Sequence, residues 1–261
     1  MRSLAIGATG MLAQQLNVET ISNNIANSST TGFKRQRAEF QDLLYQNMRR
    51  VGSTSSDAGT IVPSGIQLGA GVRSAAIYRI NEQGNITVTD NKLDLAINGY
   101  GYFQIKLPSG EIGYTRAGSF QLNAQGVIVT ADGYQLEPGI TIPQNTIDIS
   151  VSPSGSVEAK LDGQPTPQKV GQLDLATFPN EPGLEAIGNN IYLQTPASGD
   201  PVTGSPQSPG FGKIIQGALE TSNVNIVQEI TTLITAQRAY EMNSKVIKTT
   251  DEMMQTASQM K

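Results

Sequence analysis

Near its end the chain reads Ile226-Val-Gln-Glu-Ile-Thr-Thr-Leu233-Ile-Thr-Ala-Gln-Arg-Ala-Tyr240-Glu-Met-Asn-Ser-Lys-Val-Ile247-Lys-Thr-Thr-Asp-Glu-Met-Met254, with an apolar residue at every seventh position and neither proline nor glycine. Ile230, Ile234, Ala236 and Val246 widen this stripe into one apolar helix face. Proline costs about 3 and glycine about 1 kcal/mol inside a helix, so a segment cleared of both is free to be one long helix. The clearing is wide: no glycine follows Gly217, and all 13 prolines lie between Pro63 and Pro209. The start of the chain is equally free of proline, and there Leu4, Met11, Val18 and Ile25 repeat at the same spacing, flanked by Ala8, Leu12 and Ile21. Gly7 and Gly10 weaken the first turns of that helix. Helices are expected over about 3–27 and 222–260, roughly 37 and 58 Å long at the α-helical rise.

The middle differs in kind. Short runs rich in Val, Ile, Thr and Tyr alternate with turn signals. Asn81 to Gly84 precedes Asn85–Thr89, Pro108-Ser-Gly110 precedes Glu111–Thr115, and Ala124-Gln-Gly126 precedes Val127–Thr130, with Asp132-Gly133 after it. Hairpins at this spacing argue an antiparallel β domain. Further strands are expected at 147–151, 172–178 and 190–194, and a loop at 196–212, which holds four prolines and four glycines. Between 111 and 209 the cations Arg116, Lys160 and Lys169 face ten acidic residues, leaving this region acidic. The expected fold is α+β. Long terminal helices (1–35 with 216–261) pair as a coiled-coil-like core, a connecting segment covers 36–66, and a mostly antiparallel β domain covers 67–215.

Composition removes whole classes of function. The 261 residues include no cysteine, histidine or tryptophan. That excludes thiolate or imidazole zinc sites, disulfides, Cys or His nucleophiles and a Ser-His-Asp triad. A net charge of -4, without a basic run interleaved with aromatics, gives no footprint for nucleic acid. No stretch approaches the roughly 20 apolar residues of a membrane span. Gln14, Gln15 and Asn17 interrupt the apolar start before a signal-peptide core develops, so no cleaved signal is expected.

The remaining candidates each have a plain structural explanation. Gly65-Ile-Gln-Leu-Gly-Ala-Gly71 lacks the Gly-Lys-Ser/Thr ending of a phosphate loop and is expected to be a bulge or turn entering a strand. Asp90, Asn91 and Asp94 lack calcium-loop spacing and are expected to be solvated turn groups. In Asn23-Asn-Ile-Ala-Asn-Ser-Ser-Thr-Thr-Gly-Phe-Lys-Arg35, Gly32 suits a helix C-cap and Lys34 and Arg35 suit a helix dipole, which leaves Phe33 in need of cover. The stripes pose the larger problem. Each large apolar side chain gains about 1.5–3 kcal/mol on burial, and a 25-residue helix cannot cover a 39-residue one. The remainder seeks other copies, and head-to-tail contacts between identical subunits build rings or helical filaments.

The stretches Asn23–Asn27 with Thr31–Arg35, Leu93-Asp-Leu-Ala-Ile-Asn-Gly-Tyr-Gly-Tyr-Phe103, Tyr114-Thr-Arg-Ala-Gly-Ser-Phe120, and Gly217-Ala-Leu-Glu-Thr-Ser-Asn-Val-Asn225 with Gln237-Arg-Ala-Tyr-Glu241 resemble the bacterial flagellar basal-body rod and hook family. The likeness runs nearly end to end and in order. It is nearest the family's distal-rod branch, through Pro63–Gly69, Leu93–Ile97 and an extra segment at about 45–64. The resemblance implies a helical homopolymer with terminal helices lining a central channel and β domains outside. It also implies a straight shaft that crosses the periplasm and transmits torque to the hook. The implied partners are further copies of the chain, proximal rod proteins, the hook protein, the P- and L-ring proteins and the flagellar type III export apparatus. No enzyme activity, metal or cofactor is implied. On this basis Leu4, Met11, Val18, Ile25, Phe33, Ile226, Leu233, Tyr240, Ile247 and Met254 form the expected assembly interface. The extra segment, rich in Ser, Thr and Gly, is expected to order only against neighbouring subunits. A proximal rod or hook subunit is the alternative; more remote is a wall-active hydrolase or sugar-binding domain using carboxylates such as Asp132 or Asp148.

Overall fold

A computed structural model of the chain describes residues 2–49, 64–164 and 166–259. They divide into two compact units, one of Met1–Ile25, Gln36–Tyr78 and Asn225–Lys261, the other of Ala26–Arg35 and Arg79–Val224. The connecting segment expected at 36–66 thus belongs with the helices and runs on to Tyr78, while the turn after the first helix belongs with the β body.

In the helical unit, α1 spans Arg2–Ala26 and α2 spans Ile226–Gln259. The second helix begins later than its sequence suggests because Asn225 caps it. Its Oδ1 accepts from the Gln228 N–H at 3.2 Å and its carbonyl from the Glu229 N–H at 3.0 Å. The residues just before are occupied elsewhere, with the Thr221 N–H donating to the Asn85 carbonyl.

The helices touch where α1 has no side chains. A Cβ on Gly7 would lie 2.9 Å from Cγ1 of Ile247, and one on Gly10 would lie 2.9 Å from Nδ2 of Asn243. These glycines weaken α1 as a lone helix but permit close approach of α2. Replacing Gly7 by leucine should therefore lower the thermal midpoint of the helical circular-dichroism signal. The gain in helix propensity, about 1 kcal/mol, is outweighed by overpacking, about 1–3 kcal/mol. A raised midpoint would count against the close contact.

The buried face of α2 is not the apolar heptad. Glu229, Ala236 and Thr250 are buried, Asn243 between them is half-buried, and the four follow one another at seven-residue steps. Leu233, Ile247 and Met254 flank that series half-buried. On α1 the buried residues are Gly7, Ala13, Thr20, Ile21 and Asn24. Within one chain the seam is mostly polar or small apart from Ile21, and most of the larger apolar side chains of α2 lie along or beyond its margin.

Gln36–Asp42 pairs with Val72–Arg79, and Tyr45–Arg49 pairs antiparallel with Ile66–Gly69. Bonds from Leu43 N–H to Gly71 O at 2.8 Å and from Ala70 N–H to Leu44 O at 3.2 Å join the two pairings into one ribbon. The glycine-rich stretch 65–71 is therefore largely strand rather than a turn. At the start of the extra segment, Tyr45–Arg49 is the strand paired with Ile66–Gly69; its residues 50–63 lie outside the described residues.

The β body is built on a nine-stranded antiparallel sheet with Tyr102–Lys106 near its centre, between Ile112–Thr115 and Gln135–Leu136. The Pro108-Ser-Gly110 turn closes its first hairpin, with the Gly110 N–H on Leu107 O at 2.9 Å. A second hairpin turns at Ala124–Gly126 between Phe120–Leu122 and Ile128–Thr130. A separate three-stranded sheet of Thr146–Val151, Ser156–Leu161 and Gln168–Gln172 contributes Val151 and Val157 to the same core. The strand expected at 172–178 is split between the sheets: Gln172 ends one strand, and Leu175–Thr177 pairs with both Tyr102–Lys106 and Val202–Gly204. Val202–Gly204 falls inside the expected proline-rich loop, where Val-Thr supplies β-branched residues between the breakers. Leu95, Ile97, Phe103, Ile105, Phe120, Leu136, Leu175 and Ile214 form the main core, and Tyr102, Tyr114, Phe178 and Tyr192 a second, edge-to-face aromatic cluster.

Candidate functional site

In the β body, stretches far apart in sequence meet at one carboxylate. Glu220, with its side chain 0% exposed, accepts at Oε1 from Lys34 Nζ at 2.6 Å and from the Gly84 N–H at 3.0 Å. Its Oε2 accepts from Arg116 Nε at 2.9 Å and is ion-paired with Nη2 at 2.9 Å, a charge-assisted contact. Arg116 Nη1 donates to the carbonyls of Gly99 at 2.9 Å and Gly101 at 2.6 Å. Those carbonyls converge because Gly99 and Gly101 adopt φ of 115° and 133°, a region that side chains disfavour. Lys34 Nζ also donates to Glu82 O at 2.8 Å, and the Gly32 N–H donates to the Glu220 backbone carbonyl at 2.8 Å. Asn223 completes the surround: its Oδ1 accepts from the Arg35 N–H at 2.7 Å, and its Nδ2 donates to Ile80 O at 2.8 Å.

Burial pushes the Lys34 ammonium below its usual range, against the pull of the Glu220 carboxylate. Burial also acts to raise the Glu220 carboxyl, but the charges of Arg116 and Lys34, with the Lys34 and Gly84 hydrogen bonds, hold it below the usual carboxylate range. Lys34 is thus not a helix-dipole partner. The helix has already ended at Ala26, and Gly32, at φ 69°, turns the chain toward Glu220 instead of capping α1. Each of the four motif groups quoted above supplies a member of this node: Lys34, Gly99 with Gly101, Arg116, and Glu220 with Asn223.

A second polar node lies in the helical unit. The Asn24 side chain closes a ring with the backbone of Gln36, Nδ2 donating to its carbonyl and Oδ1 accepting its N–H, both at 2.8 Å. Nδ2 also donates to Oε2 of buried Glu229 on α2 at 3.2 Å. Asn24 thereby ties the end of α1, the first ribbon strand and α2 together. Asn24→Ala strips two backbone groups of their partners, at about 1–3 kcal/mol. Faster amide exchange at Gln36, with β-body exchange unchanged, is the expected readout; unchanged Gln36 protection would show that the ring is dispensable.

Of the expected interface positions, Leu4, Met11, Val18 and Ile25 on α1 are half-buried, as are Leu233, Ile247 and Met254 on α2. Ile226 and Tyr240 are exposed. Phe33, half-buried, belongs to the β body. Exposed Ile230 and Ile234 stand one and two turns beyond Ile226 along the same row. Val227, Met242, Val246, Met253, Ile6 and Leu12 are exposed as well, all apolar helix positions off the heptad.

Of the carboxylates weighed for chemistry, Asp94 and Asp148 are engaged structurally, while Asp90 and Asp132 are exposed. Asp94, expected to be solvated, is buried and accepts from Thr89 Oγ1 at 2.6 Å and Asn91 Nδ2 at 2.9 Å. Asp148 pairs with Lys92 at 2.6 Å on the surface. No described helix is long and apolar enough to cross a membrane.

Three family models match the chain: "Flagella basal body rod protein" over 4–34, "Flagellar hook protein FlgE/F/G D1 domain" over 96–159, and "Flagellar basal body rod FlgEFG protein C-terminal" over 215–260. The flagellar basal-body rod protein FlgG of Caulobacter vibrioides is 63% identical over 261 residues, covering 100% of both chains. That of Agrobacterium fabrum is 53% identical, covering 99% of this chain and 98% of its own. That of Bacillus subtilis is 38% identical, covering 98% and 97%. With its motifs gathered on one buried carboxylate and identity sustained along its whole length, the chain belongs to the FlgG family of flagellar basal-body rod proteins.

Proposed function

We propose that the chain is the repeating subunit of the flagellar distal rod, polymerising into a straight helical tube that crosses the periplasm and carries torque from motor to hook. The observation that carries this reading is the division of α2 between two faces. Its in-chain seam is mostly polar or small, while Ile226, Ile230, Ile234 and Tyr240 stand exposed along the same helix. Apolar side chains left in this way are covered by other copies. In the proposed tube, α1 and α2 pair as a coiled-coil-like inner layer, the β bodies form the outer layer, and the ten heptad and Phe33 positions contribute to contacts between subunits. The extra segment at about 45–64 stiffens the tube into a straight shaft. Proximal rod proteins, the hook protein, the P- and L-ring proteins and the flagellar export apparatus are the proposed partners.

The reading is tested by concentrating the purified full-length chain and imaging it by electron microscopy. Straight tubes of uniform width are expected. Curved tubes would favour the hook alternative, and a chain that stays monomeric at every concentration would remove the reading.

A further inference from the structure

Sulfur is distributed unevenly in this molecule. The chain has no cysteine and 7 methionines, at positions 1, 11, 48, 242, 253, 254 and 260. None falls in the β-body segments, although that unit holds the larger core. Met11 and Met254 are half-buried near the helix seam, whereas Met48, Met242 and Met253 are 66%, 65% and 62% exposed. Met242 and Met253 are eleven residues apart, close to three whole turns, so they share one side of α2, with exposed Val246 between them. That side borders the buried row on Thr250's flank, since Thr250 stands one turn from both Val246 and Met253, yet both methionines remain open to solvent.

We propose that Met242 and Met253 are sites of reversible sulfoxidation by hydroperoxides, and that their oxidation in the free subunit blocks assembly. The inference rests on the tube reading above and extends its subunit contacts to this side of α2, whose apolar Met242, Val246 and Met253 are likewise left exposed by the single chain. A thioether lone pair attacks the terminal oxygen of the hydroperoxide, the O–O bond breaks, and the departing hydroxide or alkoxide takes the proton from the oxygen now bound to sulfur, leaving as water or an alcohol. Sulfur is oxidised to the sulfoxide and the peroxide is reduced by two electrons. An apolar, adaptable side chain then carries a strong acceptor dipole, which must find donors when a second helix face closes over it. Among side chains common in apolar faces, methionine alone can be changed in this way and restored enzymatically by sulfoxide reduction. Both sites are open in the free subunit and closed in the tube, so assembled protein is expected to resist the same oxidant.

The full-length chain is treated with dilute hydrogen peroxide before and after assembly, sulfoxides are located by peptide mass spectrometry, and assembly is followed by sedimentation and microscopy. Oxidised free subunits should need about tenfold more protein to form tubes, a shift of about 1.4 kcal/mol, and methionine sulfoxide reductase should restore the original threshold. Preformed tubes should show Met242 and Met253 protected. The Met242→Leu/Met253→Leu variant, nearly volume-conserving and still oxidisable at Met48, should assemble equally well with or without peroxide. Normal assembly of protein carrying both sulfoxides would overturn the proposal, as would undiminished peroxide sensitivity in the double variant. If the untreated chain forms no tubes, the functional reading falls and this inference with it.

Discussion

Replacing Glu220 by alanine lowers the unfolding free energy of the β body by about 3–5 kcal/mol, because it leaves two buried cations without their counter-charge. Arg116 keeps the Gly99 and Gly101 carbonyls and Lys34 keeps Glu82 O, but these are dipoles facing full charges. Tyrosine fluorescence during urea unfolding reads the effect directly, since the chain has 8 tyrosines and no tryptophan. Adding Lys34→Met to Glu220→Ala should recover part of the loss, since two members of the network are then removed together. Losses that simply add would show that the charges are not coupled. Acid sensitivity has the same origin. Glu220 is depressed in the folded state, so its contribution is complete above the unfolded carboxyl value, about 4.3, and is lost as pH falls through the lower folded value. Wild-type β-body stability should therefore fall steeply below about pH 4.3, while Glu220→Gln starts lower and declines less; parallel curves would exclude Glu220 as the acid-sensitive group.

The node also marks the limit of what a linear reading can reach. The heptad in Ile226–Met254 announces a helix because its information is local: period, and absence of breakers. The hairpins at Pro108–Gly110 and Ala124–Gly126 are legible for the same reason. Lys34 and Glu220 are 186 positions apart, and Glu220 and Arg116 are 104 apart. Nothing local says that Lys34 faces a carboxylate instead of a helix end, so nearby chemistry supplies a reasonable but incorrect partner. The seam of α2 shows a subtler limit. A seven-residue apolar repeat identifies a face that wants cover without saying whose side chains provide it. Glu229, Ala236, Asn243 and Thr250 carry the same period three positions later, and Gly7 and Gly10 on α1, against Ile247 and Asn243, permit close approach within one chain. Two glycines that lower helix propensity are a local cost explained only by the partner helix. The family motifs bridge the distance because they encode the meeting point itself.

That division of faces makes two substitutions on one heptad differ in outcome. Tyr240→Asp places a charge on a side chain 41% exposed in the single chain, where water still solvates it. The isolated subunit should retain its helical circular-dichroism signal and β-body stability. In a tube the same carboxylate is enclosed, and an unpaired buried ion costs several kcal/mol. At about 1.4 kcal/mol per factor of ten, the concentration needed for assembly rises by about a hundredfold or more, which in practice means no tubes. Ile247→Asp acts earlier, because Ile247 packs where Gly7 brings α1 closest. It should weaken helix pairing in the subunit as well as assembly, lowering the helical signal while leaving β-body unfolding in place. The pair thus separates a contact made between chains from one made within a chain. Tubes formed normally by Tyr240→Asp would remove that residue from the assembly surface. A full loss of helical signal in Tyr240→Asp would instead place it in the in-chain seam, and the functional assignment of the exposed row would have to rest on Ile230 and Ile234 alone.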